Sequence, residues 1–237
     1  MKLAIMQPYF FPYIGYFSLM EYADQFIFFD TPQYITKGWV NRNRILDSGG
    51  NPIYMTAPVR KMPRETPINK IEIDNSKDWR GKIYGQLTAY KKRAPEYKDT
   101  IDIIHEIIDG FEGENLSKLN VRATSMLADA IGIKCKFDVF SEMNIDIGEV
   151  NAPDEWALEI SKSIGAKIYV NPPGGRDFFN KCKYIKDNIE LKFLESNLRP
   201  YIQRIGKWVP GLSIIDMMMF CKQDEIKDIL NDYTFVE

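Results

Sequence analysis

The sequence predicts an α/β protein in which a mainly parallel or mixed sheet is flanked by helices, with a helical insertion in the middle of the chain. Three observations predict this fold class. The chain opens with two short apolar runs separated by a helical segment, as in a β-α-β unit. After residue 134, short apolar runs alternate with amphipathic helical segments, which is typical of parallel strands joined by helices. The length of 237 residues is enough to bury a sizeable core in one domain.

The first elements follow from hydrophobic periodicity. Residues 3–6 and 26–29 are apolar runs predicted to be strands, and residues 14–22 between them are predicted to form a short helix. Residues 53–59 and 68–73 alternate in polarity, so they are predicted to be strands that pair with each other in a hairpin. The polar, proline-rich stretch between them is interpreted as a loop.

The middle of the chain is predicted to be helical. Residues 78–92, 95–109 and 117–131 carry the helical period, the last with a clear apolar face. This region, about residues 76–132, forms either a helical subdomain or an insertion within a single α/β domain spanning residues 1–237. The sequence leaves both interpretations open.

Beyond residue 134 the predicted elements alternate. Strands are predicted at 135–140, 167–170 and 191–194, and helices at 154–164, 212–221 and 224–231. The segment 212–221 is apolar nearly all round, which predicts a buried helix.

Composition excludes several classes of function. With 31 basic and 33 acidic residues and a formal net charge of -2, the overall charge gives no support to nucleic-acid binding. No apolar stretch reaches the length of a membrane span or of a signal-peptide core. Cys135, Cys182 and Cys221 are odd in number and lack CxxC spacing, which favours a reducing compartment. We therefore expect a cytoplasmic protein.

Polar or glycine- and proline-rich clusters follow three of the predicted strands directly. In open α/β sheets the ligand binds beyond the carboxyl ends of the strands, so the three clusters predict a single pocket. The clusters are Gln7 to Tyr9, Asp30 with Gln33 and Tyr34, and residues 171–175.

The first cluster is rich in aromatic residues around two prolines. Tyr9, Tyr13 and Tyr16 have the faces and hydroxyls suited to a sugar ring or a base, and Gln7 both donates and accepts hydrogen bonds. The alternative is an aromatic core cluster with tyrosine hydroxyls at its rim, and the neighbouring phenylalanines are expected to belong to the core.

A basic segment follows the second cluster. If it is extended, Arg42 and Arg44 share one face and Asn41 and Asn43 the other. Two guanidinium groups with Lys37 nearby have the geometry and charge to bind a diphosphate or a carboxylate. The alternative is a solvated edge strand, on which basic side chains are common.

The third cluster reads Asn-Pro-Pro-Gly-Gly. Its Gly174 and Gly175 amides have the freedom to approach an anion at the start of a helix containing Asp177, and Asn171 supplies a further donor. The segment lacks the spacing of a Walker A loop or a dinucleotide fingerprint, so a plain strand-to-helix turn explains it equally well.

Two polar residues occur near the start of the apolar helix at 212–221. Ser213 and Asp216 have the spacing of a capping box, and a buried carboxylate also suits a catalytic or ligand-binding role. His105 is the only histidine and lies on an amphipathic helix, so it is interpreted as structural. No metal site is expected.

Four blocks of the sequence resemble the WbqC-like family of bacterial and archaeal polysaccharide gene clusters, in the same order and along nearly the whole chain. They are MQPYFFPYIGYF, QYITKGWVNRNRI, YVNPPGG and PGLSIIDMMMF. One departure is Thr31, where the family often has a second acidic residue, so a two-carboxylate mechanism at Asp30 is not supported. The resemblance implies a role in making surface glycans such as O-antigen, on a nucleotide-linked sugar.

The resemblance also implies a transferase, since members of the family have been proposed to acylate an amino sugar, in some cases with an amino acid. The leading hypothesis is therefore N-acyl or aminoacyl transfer to the amine of a nucleotide-linked amino sugar, with a base and fixed oxyanion donors as minimum equipment. The sequence does not identify the acyl donor or any cofactor, and no metal is expected. Asp30 or Asp216 is the candidate base, and the candidate donors are Gln7, Asn171, Gly174 and Gly175.

Two alternatives stay open. One is a glycosyltransferase that uses the nucleotide sugar as donor, although no convincing Asp-x-Asp pair follows a strand. The other is a non-catalytic nucleotide-sugar-binding partner, which needs the pocket but no carboxylate.

Overall fold

The computed structural model describes residues 1–204 and 206–237. The strands in chain order are β1 (Lys2–Met6), β2 (Gln25–Phe28), β3 (Arg42–Leu46), β4 (Pro52–Thr56), β5 (Lys136–Val139), β6 (Ile168–Asn171), β7 (Glu190–Ser196) and β8 (Tyr233–Val236). The helices are α1 (Ile14–Tyr22), α2 (Trp79–Leu87), α3 (Tyr97–Asp109), α4 (Leu116–Ile131), α5 (Trp156–Ser163), α6 (Lys181–Lys186), α7 (Ile214–Phe220) and α8 (Gln223–Leu230).

The main sheet has six strands in the order β5-β2-β1-β6-β7-β8. The first five pair in parallel, and β8 runs antiparallel to β7 at the edge. The chain therefore extends the sheet from β1 in one direction through β2 and in the other through β6. The strand order reverses between β1 and β6, which makes this pair the topological switch point of the sheet. The predicted α/β class with a mainly parallel sheet is confirmed.

The central strands are buried on both faces, as their continuous apolar runs predict. Leu3 and Ile5 of β1 face a smaller cluster with α5, whereas Ala4 faces a larger cluster. The larger cluster joins Phe26 of β2 to buried residues of the middle helices, including Leu119 of α4. The helical middle and the sheet thus share one continuous core.

Helix α4 has well-defined ends. The Asn115 side chain accepts a hydrogen bond from the Lys118 amide at 2.9 Å, and Gly132 ends the helix with φ of 88°. A side-chain cap and a left-handed glycine are the usual stops for a helix.

The predicted hairpin between residues 53–59 and 68–73 was wrong. Strand β4 pairs antiparallel with β3 instead, and Ile68–Lys70 forms a 3-10 turn. A turn at residues 47–51 determines this pairing, because the Asp47 carboxylate accepts hydrogen bonds from two of its amides. The apolar residues after Pro67 are buried against α4 and leave only an isolated bridge to the β4 side.

The predicted helix containing Asp177 was also wrong. Pro173–Gly175 forms a 3-10 turn, Asp177 is exposed, and α6 begins only at Lys181. The Asn180 side chain starts that helix by accepting from the Cys182 amide at 3.0 Å. Across the described residues, every helix is too short or too polar to cross a membrane.

Candidate active site

A crevice opens at the carboxyl ends of β1 and β6, at the switch point of the sheet. It consists of two adjoining cavities of about 480 Å³ and 740 Å³, called here the first and second compartments. Both volumes suit parts of a small-molecule ligand. The residues that line both compartments are Met6, Gln7, Tyr9, Asn171, Phe178 and Phe179.

Gln7 lies at the neck between the compartments, directly after β1. Its backbone is fixed because the Tyr16 hydroxyl donates to the Gln7 carbonyl at 2.8 Å. Its side-chain amide makes no hydrogen bond to any other described residue, although it lines both cavities. The Gln7 amide is therefore available to a ligand in the crevice.

Asn171 faces Gln7 from the end of β6. Its side-chain nitrogen donates to the Tyr169 hydroxyl at 2.6 Å. Its side-chain oxygen lies so close to Gly175 that a Cβ added at Gly175 would be 2.4 Å from that oxygen. Gly175 is needed for this close approach, not for anion binding. Its own amide donates to the Pro172 carbonyl at 3.0 Å and is not free to act as an oxyanion donor, contrary to expectation. Gly174 lines the second compartment.

Aromatic residues dominate the first compartment, and several were missed in the sequence. The rings of Phe29 and Trp156 lie 5.7 Å apart on its wall, and Phe178 beside them is 53% exposed. An exposed phenylalanine beside a glycine-rich turn was the signal that could have identified Phe178. These faces suit stacking of a base or a sugar.

The second compartment is lined by Tyr13, Trp39 and Asn43, with Gly211 opposite. Arg44 lies behind its wall, because the guanidinium donates to the Gly211 carbonyl at 3.2 Å and stacks 5.8 Å from the Trp39 ring. The Arg44 Nε is buried without a hydrogen-bond partner among the described residues. This is the predicted basic residue that comes nearest to the crevice walls.

The tyrosines of the first cluster divide into two groups. Tyr9 and Tyr13 line the crevice, and burial raises the pKa of both hydroxyls, so both stay neutral. Tyr16 is fully buried against Phe26 and does not line either compartment, and burial holds its pKa well above the ordinary value. Its role is to support the backbone of Gln7.

The alternation predicted for the Asn-Arg-Asn-Arg segment is present in β3. Asn41 and Asn43 are buried, and Arg42 and Arg44 are partly exposed. The Asn43 amide donates to the carbonyls of Phe10 and Phe11 at 3.2 Å and 2.9 Å, and Asn41 donates to a neighbouring carbonyl. Both asparagines therefore satisfy backbone groups.

Arg42 and Lys37 do not line the crevice. The Arg42 guanidinium donates to the Lys37 carbonyl and stacks 4.2 Å from the Tyr54 ring. Lys37 is exposed and adopts a φ of 62°, which the contact with Arg42 helps to hold. The diphosphate site predicted for the whole basic group is thus not gathered in one place.

Asp30 faces away from the crevice. Its carboxylate accepts from the Ser141 amide at 3.0 Å and from the Ser141 hydroxyl at 2.6 Å, and the residue is 2% exposed. Thr31 and Pro32 line the first compartment, whereas Asp30 lines a separate cavity. The proposed base and Gln7 do not share a cavity.

Gln33 and Tyr34 lie on another surface. Gln33 donates to the Arg64 carbonyl at 2.8 Å, and buried Tyr34 lines a third cavity with the loop at residues 60–64. Burial raises the pKa of Tyr34, and the positive charge of Arg42 opposes this shift. The second predicted cluster therefore does not converge with the first and third.

Ser213 caps α7, as predicted. Its hydroxyl accepts from the Ile215 amide at 3.3 Å and donates to the Phe11 carbonyl at 2.7 Å. The reciprocal half of the capping box is absent, because the Ser213 amide donates to the Arg44 carbonyl and not to Asp216.

Asp216 is fully buried in a network of donors. Its carboxylate accepts from the Tyr90 hydroxyl at 2.7 Å, from the Gln203 amide at 2.9 Å and from the Tyr201 hydroxyl. Burial raises the pKa of Asp216, and these hydrogen bonds oppose the shift. Asp216 lines none of the cavities described here, so its contacts are structural.

His105 lies on the surface of α3. Its ring stacks 4.1 Å from that of Tyr84 and its Nδ1 lies 2.7 Å from the Asp109 carboxylate, contacts that fit the structural role expected for it. Within residues 1–204 and 206–237, no three histidine, cysteine or acidic side chains are grouped as a metal site requires.

Comparisons with known proteins agree with the sequence blocks. A model of the WbqC-like protein family matches residues 7–228. A protein of Mycobacterium tuberculosis described as uncharacterized is 27% identical over 219 residues, which cover 92% of each chain. No solved structure matches the chain. The family match begins at Gln7 and extends beyond Gly211, so it includes both strand ends that form the crevice.

Proposed function

The chain belongs to the WbqC-like protein family, and we propose that it is a transferase of surface-glycan (O-antigen-like) biosynthesis that binds a nucleotide-linked amino sugar in the crevice. The reaction proposed is transfer of an acyl or aminoacyl group to the sugar amine. The observation that carries this proposal is the position of the crevice at the β1/β6 switch point. Open α/β sheets bind nucleotides at this position.

The lining of the crevice suits the uncharged, partly planar groups of such a ligand, its base and its sugar. Trp156 and Phe29 in the first compartment and Trp39 in the second offer ring faces for a base and a sugar. At the neck, Gln7 has a free amide that both donates and accepts hydrogen bonds. These groups select a ligand by shape and hydrogen bonding.

A diphosphate requires positive charge at the rim. Arg44 is the candidate, because its guanidinium lies behind Trp39 and Gly211, where a phosphate oxygen would replace the Gly211 carbonyl as its acceptor. Its unpartnered Nε is a second donor for the same anion. We assign the diphosphate to Arg44 and not to Arg42 or Lys37.

Acyl transfer to the amine forms a C–N bond, passes through a tetrahedral oxyanion and releases the donor's leaving group and one proton. The neutral hydroxyls of Tyr9 and Tyr13 and the Gln7 amide are donors for the oxyanion. The proton requires a base, and neither Asp30 nor Asp216 lines the crevice.

That observation favours a second candidate function, nucleotide-sugar binding without catalysis. Among the described residues that line the two compartments there is no aspartate, glutamate, histidine, lysine or arginine. A non-catalytic partner in a biosynthetic complex needs only such a lining.

Native mass spectrometry tests the proposal with a panel of UDP-, dTDP- and GDP-linked sugars, each with and without a free amino group. We expect selective retention of an amino-sugar nucleotide, lost in Gln7→Ala and kept in the matched control Gln223→Ala. Gln223 lies on α8 and is not a crevice residue. Retention of no nucleotide sugar by the wild-type protein would refute the proposed substrate.

The transferase and the binding partner are separated by product mass. The retained nucleotide sugar is incubated with the protein and a small-molecule extract, and the mass of the sugar is then measured by mass spectrometry. A mass gain that requires the free amine supports acyl transfer. An unchanged sugar mass over the whole panel would favour the non-catalytic function.

A further inference from the structure

A separate cavity, distinct from both compartments of the crevice, lies behind the crevice wall. It has a volume of about 510 Å³, and the chain at residues 29–32 separates it from the first compartment. Phe29 and Thr31 line the crevice, whereas Asp30 lines this separate cavity, because successive side chains point to opposite sides of an extended segment. We call it the basic cavity, after the three cationic residues in its lining, Lys70, Lys118 and Arg122.

The amino end of α4 forms part of the basic cavity. This helix has 16 residues, and its dipole favours an anion at this end, although the Lys118 amide is already capped by the Asn115 side chain. Ser117 in the first turn is only 2% exposed and lines the cavity, yet its hydroxyl has no hydrogen-bond partner among the described residues. A buried hydroxyl without a protein partner indicates a ligand or water in that position.

The cations at the cavity suit a phosphate group. The side chains of Lys70 and Lys118 are not engaged in any ion pair with a described carboxylate. The Arg122 guanidinium is already held by the carbonyls of Ile107 and Glu106 at 3.2 Å and 3.0 Å. Because its fork is occupied, bidentate recognition of a carboxylate is not offered, whereas two lysine point charges and a helix terminus are suited to a tetrahedral phosphate.

The remaining lining offers hydrogen-bond acceptors. The Asn69 side-chain oxygen is buried without a partner among the described residues, and two carboxylates, of Asp30 and Glu142, lie in the same lining. We propose that the basic cavity binds a small phosphorylated ligand, with the phosphate at Ser117, Lys70 and Lys118 and with Asn69 and Asp30 as acceptors for the hydroxyl groups of the ligand. A sugar phosphate has this chemistry. The site is separate from the crevice and does not depend on what the crevice binds.

Titration of ¹⁵N-labelled protein with inorganic phosphate at constant ionic strength tests the first part. We expect saturable shifts of the Ser117 and Lys118 amide signals. The double variant Lys70→Gln, Lys118→Gln should weaken phosphate binding about tenfold or more, because two charge-assisted contacts are lost. The control double variant Lys98→Gln, Lys134→Gln removes the same charge from residues outside the cavity and should bind normally.

Two results would overturn the phosphate site: no saturable shift at Ser117, or equal weakening in both double variants, which indicates nonspecific charge attraction. Ser117→Ala, which keeps the net charge, should weaken binding several-fold. A hexose 1-phosphate should bind more tightly than inorganic phosphate, and Asn69→Ala should abolish the difference. Equal affinities of the wild-type protein for the two ligands would refute the proposed acceptor contacts to the sugar hydroxyls. Because Gln7→Ala leaves this cavity intact, it should retain the phosphate response, so the crevice and the basic cavity are tested separately.

Discussion

The crevice and the region directly behind it contain similar polar residues that serve opposite purposes. In the crevice, the amide of Gln7 faces open space. The support region comprises Asn43 on the wall of the crevice and Ser213 and Asp216 behind that wall. Its side chains are bound by backbone groups and tyrosine hydroxyls. The comparison teaches that residue type and position at a strand end do not determine whether a polar group is available to a ligand. The direction of the side chain determines it.

The support region holds the loop that carries the aromatic residues of the crevice. Phe11 adopts a φ of 44°, a conformation that costs a non-glycine residue free energy. Its carbonyl accepts from both Asn43 and Ser213, which lie far apart in sequence. These two contacts stabilise the turn between Tyr9 and Tyr13, so the support region shapes the crevice without binding the ligand.

The largest expected effect on stability comes from Asp216→Ala. The variant leaves two tyrosine hydroxyls and the Gln203 amide without their buried acceptor, and we expect the free energy of unfolding to fall by about 3–5 kcal/mol. Urea unfolding measures it, with exposed Asp228→Ala on α8 as a control that should change little. Wild-type stability in Asp216→Ala, together with lost ligand binding, would instead place Asp216 in the binding site.

Asn43→Ala should have the next largest effect. It removes two hydrogen bonds to backbone carbonyls and one acceptor for the Arg44 amide, so we expect a loss of about 2–3 kcal/mol in urea unfolding. Gln7→Ala removes no hydrogen bond to a described residue and should change stability by less than about 0.5 kcal/mol. An equal loss of unfolding free energy in the two variants would contradict the assignment of Asn43 to support and of Gln7 to ligand binding.

Gly175→Ala sharpens the comparison from the crevice side. Its Cβ would meet the Asn171 side-chain oxygen at 2.4 Å and the Phe179 ring at 2.9 Å, and both must move. We expect a loss of about 1 kcal/mol in thermal or urea unfolding and a clear loss of nucleotide-sugar binding. The matched variant Gly174→Ala meets no atom within 4 Å and should keep the fold unchanged.

The smallest expected effect is a pH dependence of the support region. The pKa of Asp216 is raised above the ordinary value of 3.8 by burial. A raised folded-state pKa means that the unfolded chain loses this proton first as the pH increases, so the stabilisation present at low pH is lost as the pH rises through the folded-state pKa. The stability of the wild type relative to Asp216→Asn should therefore fall as the pH rises above about 4, the ordinary pKa of an aspartate. A relative stability that rises with pH would instead show that folding lowers the pKa of Asp216.

The architecture could be predicted from the sequence because it depends on local patterns of apolar and polar residues. The apolar run at residues 3–6, the helix at Ile14–Tyr22 and the later alternation all predicted the parallel sheet, which the structure confirms. The β3–β4 pairing was missed because the turn signal at residues 47–51 was overlooked in favour of a more distant partner.

Only part of the candidate site could be predicted from the sequence. Gln7 and Asn171 meet in one crevice because both follow strands at the switch point, which the order of elements indicated. Asp30 does not join them, because its side chain points to the opposite side of an extended segment. The role of Asp216 depends on Tyr90, 126 residues away in sequence, and no local pattern contains such a contact.

Indole NMR signals test most directly the central claim that the crevice is the ligand site. Trp39 and Trp156 line its two compartments, whereas Trp79, the first residue of α2, is buried and its indole donates to Asn75 at 3.0 Å. Titration of ¹⁵N-labelled protein with the nucleotide-linked amino sugar retained in native mass spectrometry should shift the Trp39 and Trp156 signals and leave that of Trp79 in place. Saturable binding that leaves both crevice signals unmoved would contradict the account.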